Sequence, residues 1–158
     1  MDINETKPHF KDAVTMLEHE HETVKAMFKK FEALGEHAYV GKKNLANEIC
    51  SALSKHCIIE EEIFYPAVRH ISKEGPVLVN EAVVEHASAK ELIAQIQSMS
   101  AEDALFNAKV KVLSEQIEHH VKEEEKDMFP QARKSHIDLL SLRDQMLDRK
   151  DQLSGEGV

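Results

Sequence analysis

At 158 residues the chain fits one domain, long enough to bury a respectable core. Its 29 acidic residues outnumber 20 basic ones, and the formal charge of −9 argues against nucleic acid and anionic membrane surfaces as main partners. No apolar run approaches a membrane span and MDINETKPHF lacks the regions of a signal peptide, so the expected compartment is the cytoplasm.

Period-2 alternation is nearly absent, whereas heptad-like apolar spacing runs almost everywhere, so the expected elements are helices. The first stripe reads Val14, Leu17, His21, Val24, Phe28 and Phe31, and a polar connection between Gly35 and Gly41 follows it. A second stripe carries Leu45, Ile49, Ala52, His56, Glu60 and Ile63, and the breaker SKEGP at 72–76 stops it. The third reads Val79, Ala82, His86, Ala89, Ile93 and Ile96. SAED, from Ser100, has a capping-box pattern expected to open the fourth, which runs through Phe106, Val110, Leu113, Ile117, His120, Glu124 and Met128. After Pro130, HIDLLSLRDQML reads as a short extra helix and SGEGV as a frayed end. The fold class is all-α: an up-down-up-down four-helix bundle with core at about 10–135 and a C-terminal helix and tail at 136–158, in one domain over 1–158.

The chain is also a doubled helix hairpin. EHETVKAMF from Glu20 aligns with EHASAKELI from Glu85, placing His21 on His86 at an offset of 65. HCIIEEEIFYP, 56–66, aligns with HVKEEEKDMFP, 120–130, at an offset of 64, superposing His56 on His120 and Glu60 on Glu124.

Each stripe carries His where a heptad expects Leu or Ile, and two stripes add Glu one turn later. Residues four apart on a helix differ by about 40° and about 6 Å, so each His and its Glu enter the same space. An unpaired buried carboxylate is costly enough to demand a cation or a rich hydrogen-bond network. Counting about 1.5 Å per residue from each connection puts the histidines at matching heights. Four imidazoles and two carboxylates then converge on one layer: a dinuclear metal site suited to iron, manganese or zinc, which carboxylates can bridge.

The order EH, HxxxE ending in YP, EH, and HxxxEE ending in FP resembles the hemerythrin-like, HHE cation-binding domain over about residues 12–135. The resemblance implies a non-haem di-iron centre, oxo- or hydroxo-bridged, handling dioxygen, peroxide or nitric oxide. Its metal ligands fall on His21, His56, Glu60, His86, His120 and Glu124. Respiratory hemerythrins follow the third-helix His with another; Lys90 stands there, and Lys25 in the first repeat. They also use Asp five residues after the last His, where this chain has Glu125, but repeat symmetry favours Glu124. One imidazole fewer leaves open coordination suited to peroxide, or a vacancy for Tyr65, the nearest phenolate. Lys25 and Lys90 could hydrogen-bond a bound oxygen species or snorkel between helices.

Other features read as bland. His19 and His119 face solvent or a seam, with His119 the register rival of His120; His9, His37, His70 and His136 lie near helix ends or connections. Glu61, Glu62, Glu123 and Glu125 read as solvated faces, and Cys50 and Cys57 as thiols too far apart for a disulfide. The leading functional expectation is peroxide decomposition by a catalase-like di-iron oxidoreductase with an oxidative-stress role. The alternative is a sensor or carrier of oxygen, nitric oxide or iron without turnover, and a stand-alone domain weakens the sensor version. A third reading gives zinc or a polar network a purely structural role.

Overall fold

The computed structural model describes residues 9–158, so most of the N-terminal stretch searched for a signal peptide lies outside it. Among the described residues there are five helices and no strand. Helix α1 spans Ala13–Ala33; α2 spans Tyr39–Ile59 and continues through a π-helical turn, Glu60–Phe64, into Tyr65–Val68. Helix α3 spans Gly75–Ser98; α4 spans Phe106–Glu123 and continues through a second π turn, Glu124–Met128, into Phe129–Lys134; α5 spans Leu139–Gly155. None is long and apolar enough to cross a membrane.

Local chemistry fixes the ends. Asp12 accepts the Thr15 N–H at 2.8 Å, which starts α1 at Ala13. Arg133, at the end of α4, reaches the same carboxylate at 2.8 Å and Glu18 at 2.9 Å, tying the last turn of the bundle to its first. At the far end Lys43 donates to the carbonyls of Ile96, Gln97 and Met99, a cation on the orphan acceptors that close α3. Gly75 opens α3 because a Cβ there would overlap the Arg69 carbonyl oxygen.

Three expectations need correction. The SAED capping box forms, with Ser100 N–H donating to Asp103 and Ser100 Oγ accepting from Glu102, but it closes a turn; regular helix starts at Phe106. The second stripe is displaced: Ala46, Cys50 and Leu53 are buried beside Ile49, whereas Leu45 and Ala52 are only half-buried. The C-terminal helix is long, not short, and SGEGV is a cap rather than a frayed end. Gly157 takes φ of 79° and donates to Ser154 while the Val158 N–H donates to the Leu153 carbonyl, a Schellman motif. The cap is anchored because Leu153 is buried and Val158 packs on the same core.

That core comes in two parts. One, at the α5 end, gathers Met16, Leu17, Ile59, Phe64, Val79, Met128, Phe129 and Met146; the other gathers Val24, Phe28, Phe31, Ile49, Leu53, Ile93, Phe106 and Leu113. Between them, where the apolar stripe of every bundle helix is interrupted by His, lies a polar layer.

Candidate metal centre

The two π turns decide which side chains enter this layer. Each inserts i→i+5 bonds, Tyr65 N–H to the Glu60 carbonyl and Phe129 N–H to the Glu124 carbonyl. A residue five positions on in an α-helix lies about 140° away around the axis. The wider turn returns it to the same face, so Tyr65 joins Glu60 and Phe129 joins Glu124. Tyr65 is therefore 1% exposed although it sits beside Pro66 near the helix end.

His21, His56, Glu60, His86, His120 and Glu124 are all buried and meet in one layer, as the spacing predicts. Glu60 Oε1 stands 2.8 Å from His56 Nε2, 3.2 Å from His86 Nε2 and 4.0 Å from His120 Nε2. Glu124 Oε1 is 3.1 Å from His21 Nε2 and its Oε2 is 3.2 Å from His120 Nε2. The tips of His86 and His120 approach to 3.2 Å. Two groups of ligand atoms result, each within 4.8 Å: His21, His56, Glu60 and Glu124, and then Glu60, His86 and His120. Glu60 belongs to both. The Tyr65 hydroxyl donates to Glu124 Oε2 at 2.6 Å and lies 3.3 Å from both His86 and His120 Nε2. Its two-fold counterpart Phe129 stacks on His21 instead, rings 5.7 Å apart and 5° from parallel, so the doubled site is asymmetric at this position.

Behind the imidazoles stands a ring of four glutamates, of which sequence reading misassigned Glu61 and Glu125 and gave Glu20 and Glu85 no role. His56 Nδ1 is held by Glu20 at 2.8 Å and His120 Nδ1 by Glu85 at 3.0 Å, each from the paired helix of its own hairpin. His21 Nδ1 is held by Glu125 at 3.1 Å and His86 Nδ1 by Glu61 at 3.0 Å, each from the other hairpin. Glu61 and Glu125 are thus not solvated faces; they fix ring orientation and keep each Nε2 pointing inward. Their signal was present in the repeat, since Glu one residue before the first His and five after the second recurs in both halves. Glu62 and Glu123 are surface groups, paired with Arg149 and His119. Lys25 and Lys90 do not reach the ligands: both are exposed, and Lys90 binds Glu61 at 2.6 Å. His119 is exposed, which settles the register in favour of His120, and His19 is exposed too.

Electrostatics follow from burial plus carboxylates. Desolvation alone would lower the His120 imidazole, but Glu124 and Glu60 outweigh it and hold it up at about 12. His56 and His21 are raised against the same opposing burial, by Glu60 with Glu20 and by Glu124 respectively. Burial works against the Glu20 charge, yet His56 and Lys150 bring it down to about 2. Burial pushes Cys50 up to about 11 and, with Glu60 adding to it, Cys57 higher still; both are buried free thiols.

The donor set fits metal ions. Five buried atoms among the described residues make no hydrogen bond: His21 Nε2, His56 Nε2, both oxygens of Glu60, and Glu124 Oε1. They point at one another without well-directed donors, a costly arrangement for polar atoms removed from water and a natural one around cations. Over them lies a cavity of about 20 Å³ lined by all four imidazoles with Val24, Leu53, Ile117 and Val121. That volume takes about one water-sized molecule.

Fold and centre together define a helical bundle built around a buried histidine–carboxylate cluster for cations. Residues 12–132 match the hemerythrin HHE cation binding domain, and the chain belongs to that family, whose members bind metal cations. A DNA nickase from Nostoc sp. (strain PCC 7120 / SAG 25.82 / UTEX 2576) is 33% identical over 86 residues, 54% of this chain and 24% of that protein. An uncharacterized hemerythrin-like protein from Schizosaccharomyces pombe is 29% identical over 85 residues, 53% of this chain and 42% of that one. The matched segment thus spans less than half of either relative. The crystal structure of a hemerythrin HHE cation binding domain-containing protein from Mycobacterium kansasii matches with a TM-score of 0.77. It covers 92% of this chain and 88% of that one at 23% identity, a likeness of fold.

Proposed function

We propose that His21, His56, Glu60, His86, His120 and Glu124 hold two iron ions and that the centre decomposes peroxide, in the reducing cytoplasm that two free buried thiols suit. The observation that carries this reading is Glu60, a fully buried carboxylate common to both groups of ligand atoms, faced by imidazole nitrogens and making no hydrogen bond at either oxygen. A redox-active ion pair supplies the two electrons that one peroxide takes up and a second returns, so that two H₂O₂ give O₂ and two H₂O.

The chain's own residues do the rest. Each imidazole offers Nε2 inward while its Nδ1–H is held by a glutamate, which fixes the tautomer and strengthens the donor. Glu60 and Glu124 can bridge the two positions. Tyr65 keeps a proton 2.6 Å from Glu124 Oε2, on the side of His86 and His120; there the phenol oxygen can also serve as a seventh donor. The small cavity with its Val24, Leu53, Ile117 and Val121 wall suits molecules of only a few atoms, such as peroxide, dioxygen or nitric oxide.

The test is oxygen evolution from peroxide by protein purified without added metal. Expected are one O₂ per two peroxides consumed and loss of that activity in the His56→Ala, His120→Ala double variant. Iron-bearing protein that leaves peroxide intact while its spectrum responds reversibly to dioxygen would favour the carrier reading.

A further inference from the structure

The bundle helices come in two equivalent hairpins, but α5 has no counterpart in the doubling. Glu20 and Glu85 are equivalent in the repeat, and each stands behind the imidazole of its own hairpin. Glu85 holds His120 through Oε1, while its Oε2 comes no nearer than 3.9 Å to the exposed His119. Glu20 holds His56 through Oε1 at 2.8 Å and takes Lys150 of α5 on Oε2, also at 2.8 Å. Of the other two glutamates in the ring, Glu61 binds His86 and Lys90 through one oxygen, Oε2, and Glu125 meets His21 through Oε1. Among the described residues, Glu20 is thus the member of the ring with both oxygens held at hydrogen-bond distance. Its side chain is 9% exposed, against 25%, 28% and 37% for Glu61, Glu85 and Glu125.

That second hold decides where the carboxylate points. A glutamate bound by one oxygen alone can turn about that bond and choose other rotamers. Here it has somewhere to go: a groove of about 670 Å³ opens beside the pair, lined by Glu20, His56, Lys150, Lys55, Glu48 and Asp151. Water and the Lys55 ammonium are rival partners for a released Glu20. Lys150 on one oxygen and His56 on the other remove that freedom. Lys150 is in turn placed by its helix. Leu142, Met146 and Leu153 of α5 share a core with Met16, Leu17 and Ile59, Arg149 binds Glu62 at 2.8 Å, and Ser51 donates to the Val158 carbonyl at the helix end.

We infer that Lys150 is a positioning residue of the metal centre: by holding Glu20 Oε2 it keeps that glutamate on His56 Nδ1, and so aims His56 Nε2 at the ligand group of His21, Glu60 and Glu124. The inference rests on the proposed metal centre and adds that α5 completes one half of it. A lysine that is 42% exposed stabilises the fold little through its ion pair. What it fixes is a direction. Losing the direct partner of a metal ligand costs about 10- to 100-fold in affinity, and Lys150 stands one bond further out, so its effect is smaller and falls on the position His56 serves.

NMR of the zinc-loaded full chain with isotopically labelled histidine tests this, because exchange of each ring N–H with water reports how firmly its glutamate holds it. Lys150→Met is expected to speed exchange at His56 about fivefold and to leave His21, His86 and His120 as in the wild type. In a zinc titration the same variant is expected to bind one of its two ions about fivefold more weakly. Lys150→Arg is expected to restore both readouts. Arg149→Met, which unfastens α5 from Glu62 without touching Glu20, is expected to match the wild type. An unchanged His56 signal in Lys150→Met overturns the inference. Equal effects of Lys150→Met and Arg149→Met, or faster exchange at all four rings, also overturn it, since α5 would then act by packing alone. A wild-type chain that retains no zinc removes the metal centre itself, a different failure from an unchanged signal at full loading.

Discussion

Glu60→Ala is expected to cost the centre its metal, with affinity falling by more than about a hundredfold. Loss of an outer partner of a metal ligand typically costs about 10- to 100-fold. Glu60 exceeds that class because one side chain serves both positions: Oε1 lies within 3.2 Å of both His56 and His86 Nε2, one imidazole from each group. In the proposed two-ion centre its removal would take a donor from both ions and the link between them. Glu62→Ala is the matched control, since Glu62 lies two residues on yet faces outward onto Arg149. Elemental analysis of both variants after purification checks the pair: the Glu60 variant is expected nearly empty and the Glu62 variant as full as the wild type. Full loading of Glu60→Ala would show that the two groups do not share a carboxylate.

Stripping the metal is expected to lower the melting temperature by about 8–16 °C near pH 7. At free metal of about 1,000 times the dissociation constant, binding adds about 4 kcal/mol. For a chain of this size each kcal/mol moves the midpoint by about 2–4 °C. Without metal, the layer is held together by protonated imidazoles facing carboxylates. His120, His56 and His21 are raised above the ordinary histidine value, so that contribution is complete below about pH 6.5 and fades as pH climbs toward the raised values, about 12 for His120. Metal binding runs the opposite way, because the ion displaces those protons and binds more tightly as pH rises. The gap between loaded and stripped protein is therefore expected to widen from pH 6 to pH 8. Glu20 acts in the other direction and lower: held down at about 2, its contribution is intact above its usual 4.5 and lost as pH falls toward 2, outside that window. Calorimetry at several pH values measures the gap; a constant or shrinking one would contradict proton–metal competition at these imidazoles.

The heights of the four histidines were legible because helical rise is nearly invariant: equal counts from a hairpin connection put His21 level with His56, and near-equal ones His86 with His120. The doubled offset then favoured Glu60 and Glu124 over the rival Glu125, which instead holds Nδ1 of His21. The π turns were not legible, since an inserted backbone bond leaves no periodic mark in five residues such as EEEIF or EEKDM. Their consequence, Tyr65 rotated onto the ligand face, was accordingly seen only as a nearby phenol. Lys25 and Lys90 show the opposite error. Lying within a turn of the ligands suggested contact with a bound oxygen species or snorkelling between helices, whereas both side chains are exposed and Lys90 binds Glu61.

The weight of α5 also escaped the sequence. Its polar surface suggested a short appendage, yet Met146 and Leu153 are buried, Lys150 reaches the glutamate behind His56, and the Schellman turn at Gly157 locks its end.

Diffraction at the iron absorption edge from crystals of protein purified without added metal tests the proposed centre most directly. Two anomalous peaks are expected in the polar layer, one between His21 and His56, the other between His86 and His120, with Glu60 between them. A folded chain with no peak there, or with a lone ion at the surface beside His119, would contradict a paired metal centre.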